Sequence, residues 1–319
     1  MPSERAPQHD PRHAPVLLHE VVEALAVRPG GRYVDATVGL GGHARAIIEA
    51  AQPGGRLLGI DRDPQALAVA GEVLAPFGGA VVLARGEFAA IARICGERGF
   101  TPVDGVLIDA GVSSLQFDTE GRGFSFRRDE PLDMRMDPDG PTTAADIVNS
   151  TSEHDLAAII YEYGEERRSR RIAHAIVERR PLRTTGDLAR AVEAAVGRRP
   201  QERIHPATLT FQALRIAVNG ELDQLAQALD AAHDLLTPGG RLAVISFHSL
   251  EDRMVKQFIR EHARDCICPP KQPVCTCDHR ATLRDVLRGG RTASEGEVAR
   301  NPRARSARLR AAERLPEAA

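Results

Sequence analysis

An α/β fold, a parallel sheet covered by helices on both faces, is predicted by three features of roughly the first third of the chain. Short apolar runs alternate with segments of helical character. A glycine-rich turn follows the first run. Three of the runs end in aspartate (Asp35, Asp61 and Asp109). Arg32–Asp35 reads as the first strand, and His43–Ala51 as the helix after its glycine turn. Gly54-Gly55 breaks the chain before a second strand over Arg56–Ile60. Asp63-Pro64 opens the next helix, the aspartate as N-cap and the proline at the first helical position. Ala80–Leu83 is the third strand and Gly105–Asp109 the fourth.

The alternation stops after Asp109. Val112 to about Pro141 is rich in Gly, Ser, Asp, Arg and Phe, without regular periodicity. Helical patterns then follow one another without strands. Leu156, Ile159, Ile160 and Tyr163 share one helical face, Ile172 and Ile176 a second, and Leu188, Val192 and Val196 a third. The pattern implies a helical insertion in the α/β domain. Leu222, Leu225 and Leu229 mark a further helix, followed by a strand over Arg241–Phe247 and a helix opened by His248-Ser249. The segment beyond Asp278 is locally basic and expected to be flexible, as are residues 1–13.

Composition narrows the class without choosing a partner. The chain has 319 residues, 42 basic and 44 acidic, for a formal net charge of −2. No apolar run approaches the roughly 20 residues that span a bilayer, and the N-terminus lacks an apolar signal core. A cytoplasmic protein with no membrane partner is expected. Positive charge is almost all arginine, the lysines being Lys256 and Lys271 alone. Arginine suits phosphate, but a coding bias would give the same composition. Of five cysteines, Cys95 reads as a small buried residue, whereas Cys266, Cys268, Cys275 and Cys277 form two C-x-C pairs with His279 nearby. One intervening residue is tighter than the usual zinc spacing, so no metal is assigned; metal binding and redox-sensitive thiols both stay open.

The chemistry concentrates at the strand ends. In the turn Asp35-Ala-Thr-Val-Gly39-Leu-Gly41-Gly42-His43, glycines let backbone approach a ligand beyond the carboxyl ends of the strands. Asp61 ends the second strand, where a carboxylate can accept ribose hydroxyls. Gly39-x-Gly41-Gly42 is not the dinucleotide G-x-G-x-x-G pattern, which favours an adenosine cofactor without pyrophosphate over NAD. Asp109 could hold an amine hydrogen and aim the nitrogen lone pair at a methyl donor; a turn-forming aspartate is the plainer alternative. Arg167, Arg168, Arg170 and Arg171, with Arg179, Arg180, Arg183, Arg198, Arg199 and Arg203, could meet phosphate, or form a salt-bridged face with neighbouring glutamates. Phe117, Phe124, Phe126 and Phe247 could stack on an extruded base or fill the core.

These motifs, in this order, resemble the bacterial 16S ribosomal RNA cytosine-N4 methyltransferases. The likeness runs from His13-Ala-Pro-Val-Leu-Leu-His19-Glu20 through Asp35–His43 and Gly59–Pro64 to Asp109-Ala-Gly-Val-Ser-Ser-Leu-Gln-Phe-Asp118. It continues in Arg122–Phe126, Pro131–Asp137, Tyr163–Glu166, His205–Gln212 and Ser246–Arg253. The resemblance implies a class I, Rossmann-like methyltransferase sheet over 1–115 and 213–319, with a helical RNA-recognition domain inserted over 116–212 after the fourth strand.

It further implies S-adenosyl-L-methionine bound by Gly41, Gly42, His43, Asp61, Phe88, Asp109 and Gln116. Asp109, Ser113 and Ser114 would act at the target amine, and Phe247, His248 and Ser249, with the Arg167–Arg171 group, on the RNA. The implied partner is 16S rRNA within the small (30S) ribosomal subunit, with a second copy of the chain as a further option. Ala110 departs from the leucine common in the family, a packing difference. Ala110–Ser114 also replaces the Pro-Pro-aromatic signature of related DNA amino-methylases, so their base-binding geometry does not carry over. An NAD-dependent oxidoreductase and a non-catalytic ribosome-binding factor are the rival classes.

Overall fold

A computed structural model describes residues 15–197, 205–269, 272 and 274–316. The N-terminal residues 1–13 and Arg198, Arg199, Arg203 and Lys271 lie outside that set. The strands are β1 (Arg32–Asp35), β2 (Arg56–Asp61), β3 (Val81–Arg85), β4 (Val103–Asp109), β5 (Leu236–Ser246), β6 (Leu283–Asp285), β7 (Arg291–Thr292) and β8 (Arg308–Arg314). They form one sheet in the order β3-β2-β1-β4-β5-β8-β6, with β7 also paired to β8. β3 through β5 run parallel, while β8 is antiparallel to β5, β6 and β7.

Strand side chains alternate between two apolar layers, which is why the strands read as nearly continuous hydrophobic runs. Val34, Leu58, Val106 and Val244 face one layer, roofed by residues of the helices Ile91–Arg98, Glu221–Leu235 and Ser249–His262. Tyr33, Leu57, Leu107 and Ala243 face the other, against the helices Leu18–Ala24, Gly42–Ala50 and Pro64–Leu74. Gly105 is required here: a Cβ on it would lie 2.8 Å from the Tyr33 ring. Strand order reverses between β1 and β4. Open α/β sheets bind ligands at such a point, beyond the carboxyl ends of the strands.

The chain divides into two compact units, one comprising residues up to Gly111 and from Asp223, the other Val112–Leu222. The breaks differ from the expected 115/116 and 212/213. The helix Thr208–Asn219 packs against Glu153–Gly164 and so belongs with the helical unit. That unit's core gathers Leu156, Ile160, Ile172, Ile176, Leu188 and Val192 from three helices, with Phe211 and Leu214 from the fourth. No helix among the described residues is long and apolar enough to cross a membrane.

The expectation of a flexible basic tail is corrected. Residues 283–314 supply β6, β7 and β8, and Leu309, Ala311 and Ala312 are wholly buried. The arginines hid the strand. Arg310, 6% exposed, spends its charge on a two-point contact with Asp252 at 2.7 and 3.0 Å, so a basic run and a buried strand coexist.

Candidate active site

The turn after β1 is fixed by backbone groups and one carboxylate. Val38 N–H donates to the Ile60 carbonyl (2.8 Å) and Gly41 N–H to the Val38 carbonyl (2.8 Å). Gly39 N–H donates to Asp61 Oδ2 (2.9 Å), and Asp63 N–H to Asp61 Oδ1 (2.9 Å). Asp61 therefore ties the glycine turn to the end of β2 and keeps a second lone pair on each oxygen. Gly39 and Gly41 have φ of 51° and 84°, which favour glycine. Gly41 caps the helix Gly42–Ala50 with no side-chain bond, leaving the first-turn N–H groups without intrahelical partners. Asp63 caps the next helix through Gln65 N–H (3.0 Å), with Pro64 at its start.

Asp35, at the end of β1, accepts Thr37 N–H (3.2 Å), and Asp109 N–H donates to Thr37 Oγ1 (2.7 Å). Thr37 thus links the ends of β1 and β4, a role sequence reasoning missed. Asp35 Oδ2 and Asp109 Oδ1 are buried and have no hydrogen-bond partner among the described residues. Burial pushes Asp35 up to about 7, helped by the Asp61 charge. It also raises Asp61, and raises Asp109 well above the carboxylate range with help from Asp35 and Glu251.

His43 completes the cluster in an unexpected way. Its Nε2 lies 2.8 Å from the Val16 carbonyl, which can only accept, so the ring proton sits on Nε2. Nδ1 is then bare and 3.5 Å from Asp109 Oδ2. Burial lowers His43 to about 4 and raises Asp109, so each is pushed toward its neutral form and the contact is no ion pair. Asp109 Oδ1 is the oxygen left without a partner among the described residues. Any ligand contact from His43 would come from its backbone N–H, since its ring is held inward.

This cluster has a pH signature. Asp35 and Asp109 bind protons more tightly folded than unfolded, so their contribution is full below pH 4 and is lost as pH rises through their folded values. His43 works oppositely, adding stability between about pH 4 and 6.5 and offsetting one carboxylate there. Above pH 6.5 the loss is uncompensated. Denaturant titrations of the ligand-free protein are expected to show stability falling as pH rises from 6.5 through about 7, with a shallower fall in Asp35→Asn. A profile that rises over that range contradicts the assignment.

At the end of β5, Glu251 is 1% exposed and accepts Phe247 N–H (2.7 Å) and His248 N–H (3.2 Å). His248 caps the helix Ser249–His262, its Nδ1 accepting Glu251 N–H at 3.4 Å, so its ring already has a structural task. Ser249 opens that helix and is exposed. The Phe247 ring lies over Gly111, where a Cβ would approach Cδ2 to 3.3 Å. Phe247 therefore borders the Asp109 strand end. Phe88 starts a short helical turn after β3, its ring 6.0 Å from the Arg62 guanidinium carbon.

In the helical unit, Ser113 and Gln116 form a reciprocal cap. Ser113 N–H donates to Gln116 Oε1 (3.0 Å) and Gln116 N–H to Ser113 Oγ (3.3 Å). Ser114 begins the capped helix, and its side chain lies outside the description. Arg168 is paired with the buried Glu166 (3.1 Å), and Arg171 donates to the Ala195 carbonyl (2.8 Å). Arg167 and Arg170 are exposed. Phe124 is buried, and Phe126 stacks on His205 at 4.4 Å and meets Phe211 edge-on at 5.0 Å, so both serve the core. Phe117 is exposed.

Comparison with known proteins agrees with this frame. Residues 10–315 match the model of the MraW methylase family. The "Ribosomal RNA small subunit methyltransferase H" of Dehalococcoides mccartyi (strain BAV1) is 54% identical over 305 residues, covering 96% of this chain and 87% of that protein. The protein of that name from Syntrophotalea carbinolica is 55% identical over 308 residues, covering 95% and 98%. Its counterpart in Geobacter sulfurreducens is 54% identical over 307 residues, covering 95% and 99%. Across nearly its whole length, therefore, the chain belongs to the MraW methylase family.

Proposed function

We propose that this chain transfers a methyl group from S-adenosylmethionine to the exocyclic N4 of a cytidine in the decoding region of 16S rRNA, acting on the 30S subunit in the cytoplasm. Family membership and the names of the relatives support the reaction class and the RNA substrate. The observation that carries the chemistry is Asp109 Oδ1, a buried acceptor without a partner at the topological switch point.

The residues present fit the cofactor. When bound, it supplies an electrophilic methyl on a sulfonium. Three aspartates at one rim suit a cation, whose charge would favour their ionised forms, and as acceptors they suit a pyrophosphate poorly, which argues against a dinucleotide. The partnerless Asp35 Oδ2 suits an ammonium. The spare lone pairs of Asp61 suit ribose hydroxyls, and the uncapped N–H groups of Gly42 and His43 suit a carboxylate. Phe88 would flank the adenine. The amide of Gln116 already serves the cap of its own helix.

Cytosine N4 is a weak nucleophile because its lone pair is delocalised into the ring. Asp109 Oδ1 accepts an N4–H hydrogen and localises that pair, while Phe247 covers the base. His248 and Ser249, at the end of β5, are proposed to line the target's path. Arg167, Arg170 and Arg171 are the exposed members of their group, Arg171 also donating to the Ala195 carbonyl, and contacts to phosphate position RNA without reading sequence. In the α/β unit, Lys256, Arg260, Arg308 and Arg310 line a surface cavity together with Asp285.

The test is mass mapping of 30S rRNA from cells lacking the gene, incubated with the protein and isotopically labelled S-adenosylmethionine. One added methyl on a decoding-region cytosine amine is expected. A product at a ring carbon, at a ribose, or at no position overturns the assignment.

A further inference from the structure

Cys266, Cys268, Cys275 and Cys277 lie between the helix Ser249–His262 and β6, away from the strand-end cluster in the sequence and unused by the proposed chemistry. Their four sulfurs all fall within 4.8 Å of one another, with Cys275–Cys277 at 3.5 Å and Cys277–Cys266 at 3.8 Å. Four thiolates around one zinc, each at about 2.3 Å and tetrahedrally disposed, stand about 3.8 Å apart. We propose that these cysteines form a mononuclear tetrathiolate site that takes one zinc ion.

Three further observations favour metal over the alternatives. None of the described residues from Ala263 to Arg280 is buried, so no apolar core draws the two C-x-C pairs together. Each pair also caps a sulfur of the other: Ile267 N–H points to Cys277 Sγ (3.5 Å) and Thr276 N–H to Cys268 Sγ (3.4 Å). Such bonds stabilise thiolates, which are what a metal requires. Finally, all four sulfurs converge on one point, whereas two disulfides need only two separate pairs, each at about 2.05 Å. A multi-iron cluster needs wider sulfur spacing than this.

His279 is not a ligand. Its Nε2 is 3.0 Å from the Glu261 carbonyl, which anchors the base of the loop. The Ala281 N–H to Asp265 bond (3.2 Å) closes the same base. The zinc spacing rule missed this site because one intervening residue per pair is tighter than usual; convergence from both pairs compensates. On metallation each thiol releases its proton to solvent and no redox partner is required.

The experiment uses the full chain, purified under reducing conditions, reconstituted with zinc chloride and freed of excess. Elemental analysis is expected to give about one zinc per chain. X-ray absorption should show four sulfur neighbours at about 2.3 Å. Cys266→Ser with Cys277→Ser should lower bound zinc at least tenfold, while Cys95→Ser, in the core, retains it. Stripping zinc with a strong chelator should increase tryptic cleavage at Arg264 and Arg280 about tenfold. Zinc below a tenth of an equivalent in the wild-type chain overturns the proposal, as does a first shell of nitrogen and oxygen.

Discussion

Asp109→Asn is expected to lower kcat by about 10²- to 10⁴-fold, the usual contribution of a positioned acid–base group. The substitution keeps the shape of the site. An asparagine amide can sit beside the bare Nδ1 of His43, and its oxygen can still accept from an amine. It cannot take a proton. The N4 that gains a methyl must lose one, and the ionised form of Asp109, whose burial raises its affinity for protons, is the group placed to receive it. Folding and cofactor affinity should therefore change little while turnover collapses. Single-turnover methylation of 30S subunits, with cofactor binding and thermal unfolding measured alongside, separates these effects. Turnover within threefold of wild type would remove Asp109 from the chemistry.

Asp61→Ala is expected to act on the other half of the reaction, weakening cofactor binding by about 100-fold or more. Its carboxylate holds Gly39 N–H and Asp63 N–H and is the proposed ribose acceptor. Hydrogen bonds to a charged group contribute about 1.5–3 kcal/mol each, so loss of two corresponds to a hundredfold or greater change in Kd. Asp61→Asn, which keeps one acceptor oxygen, should fall between, at about tenfold. At saturating cofactor both variants should retain kcat within a few-fold. An alanine variant with unchanged Kd would show that the turn is set by its glycines alone and that no ligand leans on Asp61.

The two substitutions bear on residues that the sequence exposes readily. Asp35, Asp61 and Asp109 each terminate a strand, and a strand end in an α/β sheet is a position that spacing alone identifies. What spacing could not supply is orientation. The ring of His43 turns inward because its partner, the Val16 carbonyl, stands 27 residues away. Thr37 joins the end of its own strand to Asp109, 72 residues away, and no local pattern announces that. Arg168 and Arg171 sit in a run that reads as a phosphate grip, yet each answers an acceptor within its own unit.

Periodicity failed where burial has more than one side. The helix Thr208–Asn219 buries Thr210, Phe211, Ala213, Leu214 and Ile216, which blurs the single stripe of an amphipathic helix. β8 was masked for the opposite reason. Four arginines among the residues from Arg305 to Arg314 suggest a solvated tail until Asp252 is known to receive Arg310. Long-range pairing thus decides which charges are surface and which are structure.

The acidic rim is the proposed seat of an adenosyl sulfonium. Calorimetric titration of the purified chain with S-adenosylmethionine, and separately with NAD, is the direct measurement. One saturable site for S-adenosylmethionine and no detectable heat with NAD is the expected result. Absence of S-adenosylmethionine binding, or NAD occupying the same site in competition, would contradict it.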